Sequence, residues 1–264
     1  MSQKEINLSR EIWNGTLPVE FILNSEELVQ SEKPDSIFIM CSRMSYLGII
    51  TEEVVRYFNY YVVDFDNSIY FTHNGSPLRA HLPFGVIYDS LSHLERKKGI
   101  NIISKPSLPL KITIHFKDAP KQILLECNTT EAKSLFFHST KQACHLLYGS
   151  TRLFTSLSLT DQNALLDAAN KGERDAYESA IKTLKRNTED VRNPRYPVRI
   201  VFINGITKQV PVKIEENLTL LEVVTAALSQ SIASQFEFQY QIFLQGINNI
   251  PPHSTLRNIY NMFH

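Results

Sequence analysis

The chain has 264 residues, 43% of them hydrophobic, which is enough to bury a sizeable core and excludes a disordered polymer. Its 27 basic residues are balanced by 27 acidic ones, so no global field recruits nucleic acid or an anionic membrane, and no nucleic-acid partner is expected. Cys41, Cys127 and Cys144 lie far apart without a CxxC pair, the N-terminal MSQKEINLSR lacks an apolar signal core, and no apolar run reaches membrane-span length; together these predict reduced core thiols in a cytoplasmic protein.

Residues 3–13 read as a short helix ending in Ile12 and Trp13, with Gly15 as its stop. Trp13, the single tryptophan, is either a core edge or an aromatic anchor for a partner. Residues 17–23 (LPVEFIL) and 37–50 (IFIMCSRMSYLGII) are strand-like apolar runs, joined by a polar loop with Pro34 and Asp35, which predicts a hairpin with a long connection. Thr51-Glu52-Glu53 then opens a helix with Val54, Val55, Phe58 and Val62 on one side. A short strand at 69–71 leads to the Asn74-Gly75 turn, and residues 82–94 suit a second helix running into the charged group Glu95-Arg96-Lys97-Lys98. LKITIHF at 110–116 alternates as a closing strand. Hairpin, helix, strand, short helix, strand is the order of a ubiquitin-like β-grasp unit, in which the helix covers one face of the sheet.

The stretch 128–149, NTTEAKSLFFHSTKQACHLLYG, carries Ala132, Leu135, Phe136, Ala143, Leu146 and Leu147 as one apolar stripe, with Ser134, His138, Lys141 and His145 opposite. Asn128 can cap its start, with Glu131 three residues on, and Gly149 suits its end. Helix-favouring segments at 160–170 and 172–191 follow, until Pro194 and Pro197 end the helical region. Strands at 198–203 and 206–214 bracket Asn204-Gly205, a strong hairpin signal. Asn217 can cap a helix with Leu218, Leu221, Val224, Ala227 and Leu228 on one face, and residues 240–244 suit a strand. Ser254 can cap a last turn with Leu256, Ile259, Tyr260 and Phe263. This second flank repeats the first, except that a final strand is missing before His264. The expected fold class is therefore α+β: two ubiquitin-like β-grasp domains flanking a helix-rich domain. The boundaries are an N-terminal helix at 1–16, the first ubiquitin-like domain at 17–120, the helix-rich domain at 121–193 and the second ubiquitin-like domain at 194–264, without its last strand.

IWNGTLPVEF, SRMSYLGII, GSPLRAHLPFGVIYDSL, ITIHF and FFHSTKQACHLLYG together resemble the autophagy protein 5 family over nearly the whole chain. The resemblance implies the same arrangement of domains and a scaffold without catalytic residues or cofactors. It implies that Lys141, in STKQACHLLYG, accepts the C-terminal glycine of the ubiquitin-like modifier autophagy protein 12 through an isopeptide bond. The E2 enzyme autophagy protein 10 would serve that conjugation, and the E2 autophagy protein 3 would be engaged through the conjugate. Binding to the N-terminal helix of autophagy protein 16 would complete an E3-like complex that promotes transfer of autophagy protein 8 to phosphatidylethanolamine. The implied location is the cytoplasm and, peripherally, the phagophore assembly site membrane.

The chemistry of Lys141 can be read beside that resemblance. Isopeptide formation needs an accessible ε-amine, deprotonated as it attacks a thioester held by a separate E2. Phe137, His138 and His145 neighbour Lys141 on the helix. Protonated histidines would weaken its positive charge, and Phe137, expected to be exposed, would help dock the E2 or the modifier. Trp13 is expected to join a groove for the helical partner. His138, Cys144 and His145 do not have the ligand pairs of a structural zinc module, and Cys144 lies beside the apolar stripe, where thiols are inert. No nucleophile elbow or phosphate-cradling glycine loop is present. Glu95 to Lys98 and Lys182, Lys185 and Arg186 read as solvated helix ends, able to give weak, salt-sensitive membrane contact. The alternative to a conjugation scaffold is an interaction module that binds a helical partner without ever being conjugated.

Overall fold

The computed structural model describes residues 3–29, 33–62, 68–91, 93–97, 100–120, 127–182, 184, 193–202, 206–213, 215–228, 242–244, 246–247 and 250–263. In chain order its elements are α1 (Gln3–Trp13), β1 (Thr16–Leu23), β2 (Ile37–Ser42), α2 (Leu47–Phe58), β3 (Tyr70–His73), β4 (Ser76–Pro77), α3 (Phe84–Ser90), β5 (His93–Lys97), β6 (Ile100–Ser104), β7 (Leu110–His115), α4 (Thr129–Tyr148), α5 (Arg152–Thr155), α6 (Leu159–Lys171), α7 (Arg174–Ile181), β8 (Arg195–Val201), β9 (Thr207–Lys213), α8 (Leu220–Ala227) and α9 (Leu256–Phe263). They form two compact units, one of residues 14–136 with 169–172, the other of 1–13, 137–168 and 173–264.

The first unit is built on a five-stranded sheet in the order β2-β1-β7-β3-β4. Its first and last strands lie side by side and parallel, Val19 opposite Leu110 and Leu23 opposite Ile114, while its other pairings are antiparallel. The alternation in β1 turns Leu17, Val19, Phe21 and Leu23 inward, and β7 adds Leu110, Ile112 and Ile114. Leu47, Val54 and Phe58 of α2 and Phe84, Ile87 and Tyr88 of α3 complete this core. At the β3–β4 turn, Asn74 and Gly75 have φ of 49° and 75°, the left-handed pair that a tight hairpin requires.

Two elements depart from the sequence expectation. The apolar run 37–50 is not one strand, because α2 begins at Leu47 rather than Thr51. The turn it gains holds Gly48, where a Cβ would collide with the carbonyl oxygen of Asn128. Thr129 Oγ1 donates to Gly48 O at 3.3 Å and to Glu52 Oε1 at 2.7 Å, so α2 and the start of α4 meet backbone to backbone. The second departure is that the helix expected over 82–94 stops at Ser90. Glu95, Arg96 and Lys97 then lie in a strand opposite Ile102, Asn101 and Ile100, rather than at a solvated helix end. Ile100, Ile102 and Ile103, three β-branched residues in four, favour that pairing.

Two buried polar ties hold the connections. Arg43, just past β2, donates to Gly85 O at 3.2 Å and pairs with Asp89 Oδ2 at 2.6 Å, latching that loop to α3. Glu27 accepts from Phe116 N at 2.7 Å and Asn24 Nδ2 at 3.0 Å. It also lies 3.4 Å from His115 Nδ1. The other ring nitrogen of His115 bonds Thr72 Oγ1 at 3.0 Å, and the Tyr70 ring stacks on the imidazole at 4.4 Å.

In the second unit β8 and β9 pair antiparallel from Arg195 opposite Lys213 to Val201 opposite Thr207. The Asn204-Gly205 tip lies outside the described residues, but Phe202 N donates to Ile206 O at 2.8 Å beside it. Tyr196, Leu220, Val223, Leu256 and Leu147 form the core, packed round by Val198, Ile200, Val212 and Tyr260. The cap of α8 is Thr219 rather than Asn217: its hydroxyl accepts from Glu222 N, and Glu222 Oε2 accepts from Thr219 N at 2.8 Å. Starting at that cap turns Leu220, Val223 and Ala227 inward, instead of Leu221 and Val224. Of the expected strand at 240–244, residues 240 and 241 lie outside the described residues, and 242–244 form no strand, Leu244 making an isolated bridge to Ile247.

Two outcomes follow. Gly48→Ala must push a Cβ against backbone that cannot swing aside, so urea denaturation should show a loss of about 1–3 kcal/mol. Burial holds His115 below the usual imidazole range, against the opposing pull of Glu27 and Glu26. The folded state therefore binds fewer protons than the unfolded one, and stability should fall as pH drops below about 6.5. Denaturation midpoints between pH 7.5 and 5 should show this loss, and His115→Gln should flatten it.

Candidate functional site: the Lys141 face of the central helix

Helix α4 sets its own ends. Asn128 Oδ1 accepts from Glu131 N at 2.8 Å, and at the other end Gly149 adopts φ of 70° while its N–H bonds His145 O at 2.9 Å. Ala132, Phe136, Cys144 and Leu147 are the buried positions, with Leu135, Ala143 and Leu146 half-buried beside them. Cys144 therefore belongs to the stripe itself rather than to its margin.

Lys141 is half-buried, with exposed His138 one turn before it and exposed His145 one turn after it. Its amine makes no hydrogen bond or ion pair among the described residues. Lys133, the other lysine of α4, is held by an interaction of its own. The sequence explains the free amine, because no carboxylate occurs between Glu131 and Asp161. A lysine on most helix faces would find an acid one turn away; this one cannot.

The other site candidates sit differently from the sequence expectation. Phe137 is half-buried rather than exposed, its ring 5.6 Å from the fully buried Phe154 of α5. Trp13 is 5% exposed and packs at 4.9 Å on Tyr177 of α7. Alongside it Arg174 Nε donates to Ser9 Oγ at 2.8 Å, and Arg10 pairs with Asp175 at 3.0 Å. Trp13 is thus the anchor of α1 on α7. Nothing in the α7 sequence announced Tyr177 or Arg174 as its seat, since a partly polar octapeptide with a single tyrosine carries no pairing signal.

The thiols are unsuited to nucleophilic work. Burial raises the Cys144 thiol, and pushes Cys127 and Cys41 up to about 12, the last with help from Glu53. Among the described residues, no group of three or more His, Cys, Asp and Glu side chains is placed to hold a metal ion. Among them also, no helix is long and apolar enough to cross a membrane. Of the cations expected to touch a membrane, Lys182 is exposed just past α7, and Lys185 and Arg186 lie outside the described residues.

The parallel β1–β7 pair at the centre of a mixed sheet, the helical segment carrying Lys141 and the second hairpin-and-helix unit define a protein of ubiquitin-like domains around a helical region. The family model described as autophagy protein ATG5, UblA domain, matches residues 12–116, and that for its alpha-helical bundle region matches residues 129–187. Together these spans take in more than half the chain, Lys141 included. The chain belongs to the autophagy protein 5 family, and that membership ties it to autophagy.

Autophagy protein 5 of Drosophila melanogaster is 32% identical over 59% of this chain and 55% of its own length. The Arabidopsis thaliana relative is 27% identical over 67% of this chain and 50% of its own. The chain therefore spans about half the length of those relatives, whereas the match to the Aspergillus clavatus protein, 27% identical, covers 100% of this chain and 83% of that one. The crystal structure of Kluyveromyces marxianus Atg5 superposes with a TM-score of 0.77 at 23% identity, covering 98% of this chain and 95% of that one, which establishes the common fold.

Because Trp13 is core, truncating it should cost stability before it touches any partner. Trp13→Ala should lower unfolding stability by about 3–5 kcal/mol, read by chemical denaturation, whereas an exposed anchor would leave the midpoint unchanged.

Proposed function

We propose that this chain is a conjugation scaffold of autophagy, a non-catalytic subunit whose Lys141 accepts the C-terminal glycine of autophagy protein 12. The reaction is aminolysis. Nζ, having shed its proton, attacks the thioester carbonyl carried by the E2 autophagy protein 10; the C–N bond forms, the C–S bond breaks, and the E2 thiol leaves. The conjugate binds the N-terminal helix of autophagy protein 16, engages the E2 autophagy protein 3, and promotes transfer of autophagy protein 8 to phosphatidylethanolamine, working peripherally on the phagophore assembly site membrane.

The observation that carries this reading is the state of Lys141: within the span matched by the helical-bundle family model, it is the lysine of α4 left without a partner among the described residues. An amine held by a carboxylate would have to break that pair and lose its proton before attacking. Here the first cost does not arise. The raised thiols of Cys41, Cys127 and Cys144 support the scaffold role, because none of them is prepared to carry a thioester itself. Phe137 serves by fixing the Lys141 turn of α4 against Phe154, and Trp13 by holding α1 in place beside the helical partner's seat.

Lys141→Arg tests the acceptor assignment, since the charge is kept and the nucleophile lost. With autophagy protein 12, its E1, autophagy protein 10 and ATP, intact mass should show one adduct on the wild type, peptide mapping should place the branch at Lys141, and the variant should remain unmodified. An adduct on Lys141→Arg would move the acceptor elsewhere. No adduct on the wild type, with enzymes active on a control substrate, would leave a module that binds a helical partner without conjugation.

A further inference from the structure

We propose that the outer face of the β8–β9 hairpin is a docking surface for an acidic polypeptide segment. Tyr196, Val198, Ile200 and Val212 of this hairpin face the core, so the residues alternating with them face out. That outer face carries Arg195 directly opposite Lys213, Pro197 opposite Pro211, Arg199 opposite Gln209 and Val201 opposite Thr207. No carboxylate lies on it. Arg195, Arg199 and Lys213 are all exposed, and none makes a hydrogen bond or ion pair among the described residues. Glu215, two residues beyond β9, does not neutralise Lys213, and Glu216 is taken by Arg257 at 2.8 Å.

Two like charges set directly opposite on a sheet repel one another. Other cations of the second unit do have partners, Arg10 in Asp175 and Lys208 in the Ala227 carbonyl. An anionic occupant removes the repulsion and uses all three cations at once.

The backbone says where that occupant sits. The Phe202–Ile206 bond fixes the parity of the ladder, so Pro197 and Pro211 share a non-hydrogen-bonded position, where their nitrogens point sideways, away from each other. Neither edge of the hairpin then offers an N–H at its middle, and an added strand is disfavoured. The occupant lies on the face. Arg195 and Arg199 are four residues apart, about 13 Å along the strand. A helix matches that span with acids about two and a half turns apart, its apolar side meeting the prolines and Val201. Three cations are few for a lipid surface, where clusters of about 4–8 are needed. They suit discrete carboxylates, which Arg engages two oxygens at a time.

The test uses the full chain and a fluorescein-labelled amphipathic helical peptide with Glu at two sites about two and a half turns apart, read by anisotropy at low salt. The Glu peptide should bind, its Gln-substituted twin should not, and added salt should weaken the complex. The double variant R195E/K213E should lose at least about tenfold in affinity and R199E about threefold, by the usual strength of exposed ion pairs. K182E, which reverses another exposed cation of the same unit, should bind like the wild type. Equal binding by R195E/K213E, or equal loss in K182E, would overturn the proposal. So would wild-type binding to phosphatidylserine vesicles with none to the peptide.

Discussion

The first unit depends on the pairing of β1 with β7. Two strands nearly ninety residues apart run parallel at the centre of the sheet, and a parallel pair cannot be closed by a tight turn. Everything between them must therefore leave the sheet and return. β2 folds back on the outer side of β1, α2 crosses the apolar face, and β3 and β4 come in beyond β7. Once this order is set, the polar ties have one place each. Glu27 reaches Phe116 N just past the end of β7, and His115 carries the same carboxylate across to Thr72 on β3. A buried carboxylate here is tolerable because several donors converge on it.

The same logic governs α4. Within the second unit the turns on either side of Lys141 carry Phe137 onto Phe154 and Leu147 into the core. A helical segment packed on both sides of a residue leaves little freedom to that residue's backbone. Lys141 is thereby presented at a set position, with its own side chain unengaged, and the scaffold reading needs that combination. An acceptor lysine gains nothing from an activated environment in its own chain when the thioester comes with its own enzyme. It gains from being held where the enzyme can meet it, and from the absence of a competing carboxylate.

How much of this was legible in the sequence depends on the range of the interaction. Local signals read through: the Asn74-Gly75 turn, the Asn128 cap, the Gly149 stop, the alternation of β1 and β7, and the outward placing of His138 and His145. Elements fixed by distant contacts did not. Residues 47–50 look like strand by composition but open α2, with Gly48 packed against Asn128 from eighty residues away. Asn217 and Thr219 are both good caps, and only the Glu222 carboxylate, three residues after Thr219, decides between them. Phe137 falls outside the stripe that spacing defines, but α5 supplies a second surface for it that no periodicity within α4 could reveal. Lys141 shows the same division: its place on the polar face follows from the helix pattern and its lack of a partner among the described residues from the acid-free sequence around it, while the role proposed for it rests on the family.

A net charge of +0 conceals how the charges are spent. In the first unit two ion pairs stand out, Arg43 with Asp89 and Lys111 with Glu20. In the second unit several stand open, Lys141 on α4 and Arg195, Arg199 and Lys213 on the β8–β9 face. Balance over the whole chain removes long-range attraction, so what remains is short-ranged and set by position, within about a Debye length of 8–10 Å at ordinary salt. Such a surface discriminates partners by where their acids lie rather than by how many they have.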